Sequence, residues 1–418
     1  MKVMVVYQYY QGRAAAGHSL VYELTQYLAS RGHEVTVVSG ETGYMDPSRP
    51  KVPWYRRLVR TEQDGLVRVV RTYTYSELHR SYLGRLLSFI SFSLTCPLGL
   101  LMAGRHDVAL ASSPPIFPMF AAWFICKLRR IPFVLEVRDL WPASAVEMGV
   151  LKNRYLIAVM GWMEQTLYDR SRKIIALTDG IRTNICGRGW PVEKVELVTC
   201  GVDADQLHPD EQAGNSLRER FGWTNRKVIL YFGALGEANN IPVILRAARI
   251  LESDPRFLFV LVGNGMKRDE TAAWLKRNAV RNVQLLPPVP KEQARSYINA
   301  ADICLATLKD IPLFHGAIPT KLIDYMACGR PVLCGIRGEA RSIVEEANAG
   351  LLFDPDADDA LAELALQLVD DPERCRTMGA NGHAFVQQRF SASTMRAQAE
   401  SILNEAAGVT LRKVAGGT

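Results

Sequence analysis

The sequence predicts an α/β fold made of two doubly wound, parallel-sheet domains in series, facing each other across a cleft. Three observations lead there. Short apolar runs of strand length alternate with amphipathic helical stretches in both halves, and such alternation builds βαβ units on parallel sheets. At 418 residues the chain is longer than one ordinary core supports. The alternation also restarts after Cys200-Gly201-Val202-Asp203 and a polar linker running to Asn215.

Lys2 to Tyr7 reads as a strand, residues 11–17 as a loop of small residues, and His18 to Arg31 as a helix with Leu20, Leu24, Tyr27 and Leu28 on one side. Gly32 closes that helix and Glu34 to Ser39 is the next strand. Leu66 to Tyr73, Val108 to Ser112, Phe133 to Val137, Lys173 to Leu177 and Val195 to Val198 complete the first set, with helices between. In the second half the strands are Lys227 to Phe232, Phe257 to Gly263, Val283 to Leu286, Ile303 to Leu308, Pro331 to Gly335 and Gly350 to Phe353. Helices are expected over Ile241 to Leu251, Met266 to Arg277 and Lys291 to Ala300, and in a final region from Asp358 onward. The domains are therefore 1–205 and 206–385, followed by a helix over 386–405 that packs back toward the N-terminal domain. A Gly-rich tail, 406–418, is expected to be disordered.

The hydrophobic fraction of 48% and charged fraction of 22% exclude a disordered or fibrous chain. The eight Cys show no Cys-x-x-Cys pair and no Cys/His ligand spacing, which argues against zinc and a disulfide framework and suits a reducing cytoplasm. Met1 to Tyr10 reads as a buried strand without basic lead or cleavage site, so no signal peptide is expected. Leu86 to Ala103 is apolar, but it holds Ser88, Ser91, Ser93, Thr95 and Pro97 and stops at Gly104-Arg105. A spanning helix needs about 20 apolar residues, so this one reads as buried or membrane-touching.

Residues 1–205 carry 25 Lys+Arg and 18 Asp+Glu, whereas residues 206–418 carry 25 of each, so the whole net charge of +7 sits on the first half. Arg49, Lys51, Arg56, Arg57, Arg60, Arg68, Arg71, Arg80 and Arg85 cluster beside the apolar helix, with Lys127, Arg129 and Arg130 as a second group. Trp54, Tyr55, Tyr82, Phe89 and Phe92 lie among them. Such a face suits an anionic membrane surface. Nucleic acid competes for any basic patch, but no recognition motif accompanies this one. A solvated basic face without a partner is the third reading.

The segment Ile318 to Val332 carries the sharpest chemical signal. A helix opening at Pro319 suits its first turn. It offers unpaired N–H groups and a partial positive charge, a natural seat for phosphate. Lys321 adds a full charge in that turn, and Asp324, one turn on, reaches toward a ribose hydroxyl. One short element thus serves the phosphates and the sugar of a nucleoside diphosphate. The alternative is an ordinary αβ turn with a capped helix.

Five further phrases stand in order: RGHEVTVVSG, EVRDLWPASAVEMGVL, LTDGIRTNI, VTCGVDADQLHP and VLVGNGMKRDE. Together with PTKLIDYMACGRPVL they resemble the GT-B glycosyltransferases, two Rossmann-like domains facing across a cleft, and specifically the retaining family 4. The match covers roughly residues 1–405 and looks most similar to bacterial surface-polysaccharide enzymes resembling the N-acetyl-L-fucosamine transferases.

The resemblance implies that a nucleotide-sugar donor binds the C-terminal domain. Lys321 would contact the diphosphate and Asp324, standing where the second Glu of the family's Glu-x7-Glu signature sits, the ribose. The first Glu maps to Gly316, which leaves sugar recognition to the backbone N–H groups of Gly316 and Ala317. Ala234 and Asn239 occupy positions where many members carry Arg and Lys. The phosphates then depend on Lys321, on the N–H groups of Ile318, Thr320 and Lys321, and on the loop Gly233-Ala234-Leu235-Gly236. Asn264 would border base and ribose, and Pro288-Val289 the uracil ring. The implied donor set is Gly233, Ala234, Gly236, Asn264, Pro288, Val289, His315, Gly316, Ala317, Ile318, Thr320, Lys321, Leu322 and Asp324.

On the N-terminal side Gly12, Arg13 and Gly17 form an acceptor or phosphate loop, and Asp139 meets the acceptor hydroxyl or the donor sugar. Asp139, Lys321 and Asp324 are the expected catalytic residues; capping of the following helix is the alternative role for Asp139. Glu339, after another strand end, is a second-tier candidate. The family resemblance implies no metal and no further cofactor, and neither Asp203-x-Asp205 nor Asp354-x-Asp356 is read as a metal site. The donor is expected to be UDP-linked, carrying an N-acetylated hexosamine or 6-deoxyhexosamine. The acceptor is expected to be a polyprenyl-diphosphate-linked glycan, met by an enzyme peripheral on the cytoplasmic face of the inner membrane. Two rivals remain: a sugar-nucleotide epimerase of the same fold, and a non-catalytic assembly partner.

Overall fold

The computed structural model describes residues 1–12, 20–45, 52–53, 57–76 and 82–408. Eight strands form the first sheet: β1 (Lys2–Val6), β2 (Glu34–Gly40), β3 (Val59–Asp64), β4 (Val67–Thr72), β5 (Val108–Ser113), β6 (Phe133–Val137), β7 (Lys173–Ala176) and β8 (Val195–Leu197). Their spatial order is β3-β4-β2-β1-β5-β6-β7-β8. Six form the second: β9 (Lys227–Phe232), β10 (Phe257–Val262), β11 (Val283–Leu286), β12 (Ile303–Thr307), β13 (Val332–Gly335) and β14 (Gly350–Leu352), in the order β11-β10-β9-β12-β13-β14. Every pairing in the second sheet is parallel.

The exception in the first sheet is β3, which pairs antiparallel with β4. It was not expected, because Val-Arg-Thr-Glu-Gln-Asp has no apolar face. An edge strand has only one neighbour to satisfy, and polar side chains there discourage further pairing.

In chain order the helices are α1 (Leu20–Ser30), α2 (Tyr82–Ala103), α3 (Ile116–Arg129), α4 (Ala143–Glu147), α5 (Arg154–Arg170), α6 (Asp179–Gly187), α7 (Glu211–Phe221) and α8 (Ile241–Ile250). They continue with α9 (Arg268–Asn278), α10 (Lys291–Asn299), α11 (Thr320–Ala327), α12 (Glu339–Ala347), α13 (Asp358–Asp370), α14 (Pro372–Arg389) and α15 (Ala392–Ala407). The strand order reverses between β1 and β5 in one sheet and between β9 and β12 in the other. Crevices at such switch points, beyond the carboxyl ends of the strands, are where these sheets bind ligands.

The 22-residue α2 is long and apolar enough, by length and composition, to cross a membrane. Its inner face nevertheless belongs to the first domain's core, where Phe89, Phe92, Cys96 and Leu100 are buried. Burial of each large side chain of that set contributes about 1.5–3 kcal/mol. The outer face exposes Leu83, Leu87, Ile90, Leu94, Leu98 and Leu101. Arg129 Nη1 donates to the carbonyls of Leu100 and Gly104 at 3.0 and 2.7 Å, satisfying acceptors at the helix end.

The chain crosses between the domains twice, side by side. Val202 N donates to Phe390 O at 2.8 Å and Ala392 N donates to Val202 O at 3.1 Å. Beyond that crossing, α15 lies on the first domain, where Ala399, Ile402, Leu403 and Ala406 share a core with Val3, Val5, Leu24 and Leu28. Residues 406–408 end α15 and its cap, and the remainder of the tail lies outside the described residues.

Candidate active site

Two joined cavities occupy the cleft. One, of about 520 Å³, is walled by Gly233, Ala234, Gly263, Pro288, Val289, Lys291, Lys321 and Asp324 of the second domain and by Tyr7, Tyr9 and Arg138 of the first. The other, of about 700 Å³, is mostly apolar, with Leu83, Leu86, Leu151, Leu156 and Met160 in its wall beside Asp139, Gly236 and residues 316–320. Arg85, Phe89, Arg138, Trp141, Cys200, Asn239, Pro319 and Thr320 line both, and so mark the junction.

The polar cavity is organised by α11. Its N-cap is Pro319, one residue outside the helix rather than in its first turn, and no side chain caps it. Lys321 projects from the first turn. Its Nζ donates to the Tyr231 hydroxyl and, at 3.1 Å, to Asn239 Oδ1, and it sits 3.9 Å from the Tyr231 ring centroid. The Tyr231 hydroxyl donates onward to Ala234 O at 2.7 Å. No carboxylate pairs with Lys321 among the described residues, and burial pushes its pKa down to about 7. Gly233 flanks the ammonium with φ of +146°, and a Cβ there would lie 3.3 Å from Lys321 Cε. Glycine thus permits both the backbone conformation and the approach.

Asp324 lies one turn further on, in the same wall, and its carboxylate makes no hydrogen bond to the described residues. Burial raises its pKa to about 6, with Lys291 opposing and Glu23 adding to the shift. Lys291 Nζ meets Glu23 Oε1 at 2.6 Å across the domains. Burial works against the Lys291 charge, but Glu23 and Asp324 outweigh it and its pKa rises. Glu23 also meets Arg396 at 2.8 Å, and Arg396 meets Asp203 at 3.3 Å, so the donor-side wall is tied to the crossing segments.

Asp139 faces the apolar cavity at the end of β6. Its Oδ2 accepts from Ser144 Oγ at 3.1 Å, whereas α4 has Pro142 as N-cap and no side-chain cap. Burial raises its pKa, against the pull of Ser144, the Leu140 N–H and Arg85.

Several expected residues are placed elsewhere. Asn264 lines neither cavity: its Nδ2 donates to Met45 O at 3.1 Å and its Oδ1 accepts from Gly265 N at 2.9 Å. His315 also lies off the walls, with Nε2 2.8 Å from Asp310 Oδ1. Leu322 is a core residue, and its N–H is taken by Pro319 O at 3.0 Å. The Ala317 N–H bonds to Phe314 O at 3.0 Å, so it is not available to a sugar. Gly316 meets the first domain instead, its carbonyl accepting from Thr178 Oγ1 at 2.6 Å. Glu339 bonds the N–H groups of Asp179 and Gly180 at 3.2 and 3.0 Å, capping α6 across the cleft. Gly12 sits against Asp64 rather than in either cavity, and Arg13 and Gly17 lie outside the described residues.

Of the two Asp-x-Asp pairs, Asp203 is held by Arg396, Asp354 by Arg337 and Asp356 by Asn240. Among the described residues no three His, Cys, Asp or Glu side chains gather at metal-binding distance. The basic cluster is also partly spent: Arg57 and Arg60 both bind the buried carboxylate of Glu41 at 2.9 and 2.7 Å, and Arg71 binds Glu62 at 2.7 Å. Sequence reasoning passed over Tyr231, Lys291, Glu23 and Arg138 as site residues. Only Arg138 had a signal, its place beside Asp139 at a strand end.

Known proteins share this fold. Residues 16–201 match a family model described as glycosyl transferase 4-like domain, and residues 215–385 match glycosyl transferases group 1. A D-inositol 3-phosphate glycosyltransferase of Thermobispora bispora is 27% identical, over 94% of this chain and 91% of its own length. The Anabaena HepE structure in complex with UDP-glucose superposes with a TM-score of 0.71 at 18% identity, covering 97% of this chain and 100% of that one. WaaG, a glycosyltransferase involved in lipopolysaccharide biosynthesis, does so with a TM-score of 0.68 at 15% identity, covering 96% and 99%. With one family model on each of two facing Rossmann-like domains, the chain belongs to the group 1 glycosyltransferases of the GT-B fold.

Proposed function

We propose that this glycosyltransferase takes its sugar from a UDP-linked donor and passes it, with retention of configuration and without a metal, to a lipid-linked glycan in surface-polysaccharide synthesis. The observation that carries the donor half is the pairing of Lys321 and Asp324 one turn apart in one cavity wall, on a helix whose N-terminus has no side-chain cap. In this reading the α11 N–H groups and Lys321 hold the diphosphate and stabilise its charge as the sugar leaves. Asp324 accepts from the ribose hydroxyls, and Pro288 and Val289 border the base. The UDP-glucose complex of the structural neighbour HepE supports a nucleotide-sugar donor.

The acceptor hydroxyl enters from the first domain, where Asp139 faces the second cavity. Burial raises its pKa above the ordinary carboxylate value, the direction that suits a general base. The apolar lining of that cavity, continuous with Leu83 and Leu86 of α2, supports a lipid-linked acceptor. The outward leucines of α2 support a dock on the cytoplasmic membrane face. An N-acetylated hexosamine or 6-deoxyhexosamine is the proposed sugar, on the resemblance of the sequence phrases to N-acetyl-L-fucosamine transferases.

Calorimetric titration of UDP, GDP and ADP into wild type and Lys321→Ala, without added metal, tests the donor half. UDP is expected to bind wild type and to lose about tenfold or more in affinity in the variant. Equal binding of UDP to both proteins sinks the proposed phosphate seat.

A further inference from the structure

The second domain presents Lys321 and Lys291 to the polar cavity, and Lys291 is already paired with Glu23. Ala234 stands in its wall uncharged, and Asn239 uses its Oδ1 to hold Lys321. The first domain carries cations facing the same space. Arg138 extends from the end of β6 and Arg85 from the first turn of α2, and both line the junction of the two cavities. Neither has a carboxylate partner among the described residues. Arg138 Nη1 and Arg85 Nε are solvent-inaccessible and without a hydrogen-bond partner among the described residues. Arg138 lies 5.7 Å from the Tyr7 ring centroid and Arg85 5.7 Å from that of Phe89, while Glu136 acts on Arg138 and Arg85 on Asp139 without a direct ion pair.

Burying a guanidinium without a counter-charge is costly, and each unmade hydrogen bond adds to that cost. Several part-buried cations elsewhere are answered by carboxylates: Lys291 by Glu23, Arg396 by Glu23 and Asp203, Arg188 by Glu164. Arg138 and Arg85, like Lys321, make no direct ion pair among the described residues, and they line the junction together with Pro319 and Thr320, the uncapped start of α11. A guanidinium fork and a helix N-terminus on opposite walls both bind phosphate oxygens well.

We infer that Arg138, assisted by Arg85, forms a second phosphate seat on the N-terminal domain, opposite the start of α11. The seat takes a phosphate group of the donor diphosphate or of a lipid-linked acceptor. The inference rests on the proposed cleft chemistry, but it concerns a different wall and different residues. It also makes the polar cavity complete only when the two domains are closed on each other.

The test titrates the full chain with UMP, UDP, inorganic diphosphate and geranyl diphosphate, comparing wild type with Arg138→Gln, Arg138→Lys and Arg85→Gln. A loss of about tenfold or more for UDP in Arg138→Gln, with UMP unchanged and Arg138→Lys partly restored, supports the seat as the donor's. The same loss for geranyl diphosphate with UDP unchanged supports it as the acceptor's. If wild type binds no nucleotide but Arg138→Gln weakens inorganic or geranyl diphosphate, the seat stands and the nucleotide-sugar reading falls. If Arg138→Gln does not fold, judged by its melting transition, Arg85→Gln is read in its place. Unchanged affinity for every diphosphate in the folded variants overturns the inference.

Discussion

Gly180 on α6 packs directly on Gly316, the residue onto which the resemblance maps the first Glu of the Glu-x7-Glu signature. A Cβ on Gly180 would lie 2.3 Å from Gly316 Cα, and one on Gly316 would lie 2.8 Å from Gly180 Cα. The neighbouring bonds from Thr178 to Gly316 O and from Glu339 to the α6 N–H groups tighten the same contact. The missing Glu is therefore matched by a close backbone approach between the domains, which a side chain at either position would block.

Restoring the family residue should harm this protein. Gly316→Ala and Gly316→Glu are expected to lower turnover by about tenfold or more while leaving UDP affinity within about twofold, because Lys321 and Asp324 stay in place. Small-angle scattering should show a larger radius of gyration for both variants. Normal turnover in Gly316→Glu contradicts the backbone-contact account.

Lys321 gives the nucleotide site a pH dependence. Its pKa in the empty cleft is about 7 because burial disfavours the ammonium. A bound diphosphate restores the charge, so binding takes up a proton once the pH exceeds that value. UDP affinity should fall by up to about tenfold per unit as pH rises above 7. In Lys321→Met the profile should be flat over that range. A flat wild-type profile removes Lys321 as the linked group.

Asp324 makes a prediction for stability as well as binding. Its pKa is about 6 in the fold against 3.8 for a freely solvated aspartate. The fold disfavours the charged form, so the cost is absent below the unfolded pKa and complete above the folded one. Asp324→Asn should therefore raise Tm above pH 6 and leave it unchanged well below pH 4. The same variant should lose the preference for UDP over 2′-deoxy-UDP, worth about tenfold in wild type. Retained discrimination would place the ribose elsewhere.

Membrane docking is better tested on α2 than on the basic cluster. Arg57 and Arg60 neutralise the buried Glu41, so removing them disturbs the fold before it disturbs any surface. Leu87→Ser, Leu94→Ser and Leu98→Ser combined alter only exposed positions. Binding to anionic liposomes should drop by about tenfold or more with Tm little changed. Undiminished liposome binding rejects α2 as the docking element.

Every strand but β3 was legible in the sequence to within a residue or two, because parallel strands buried on both faces are continuous apolar runs. The sequence also put Lys321 and Asp324 one turn apart on one helix, and the structure has both lining the same cavity. It did not show β3, whose edge position needs no apolar pattern. It sent Asn264, His315 and Leu322 to the donor, where the tertiary structure gives them Met45, Asp310 and the core. Only the packing of one domain on the other decided the remaining roles. Gly316 meets Gly180, Glu339 caps α6, Glu23 joins Lys291 and Arg396, and Arg138 shares the cavity junction with the start of α11, its Nη1 unbonded among the described residues. These pairs are separated by more than a hundred residues in the chain, and helix or strand periodicity carries no information about contacts that long-range closure creates.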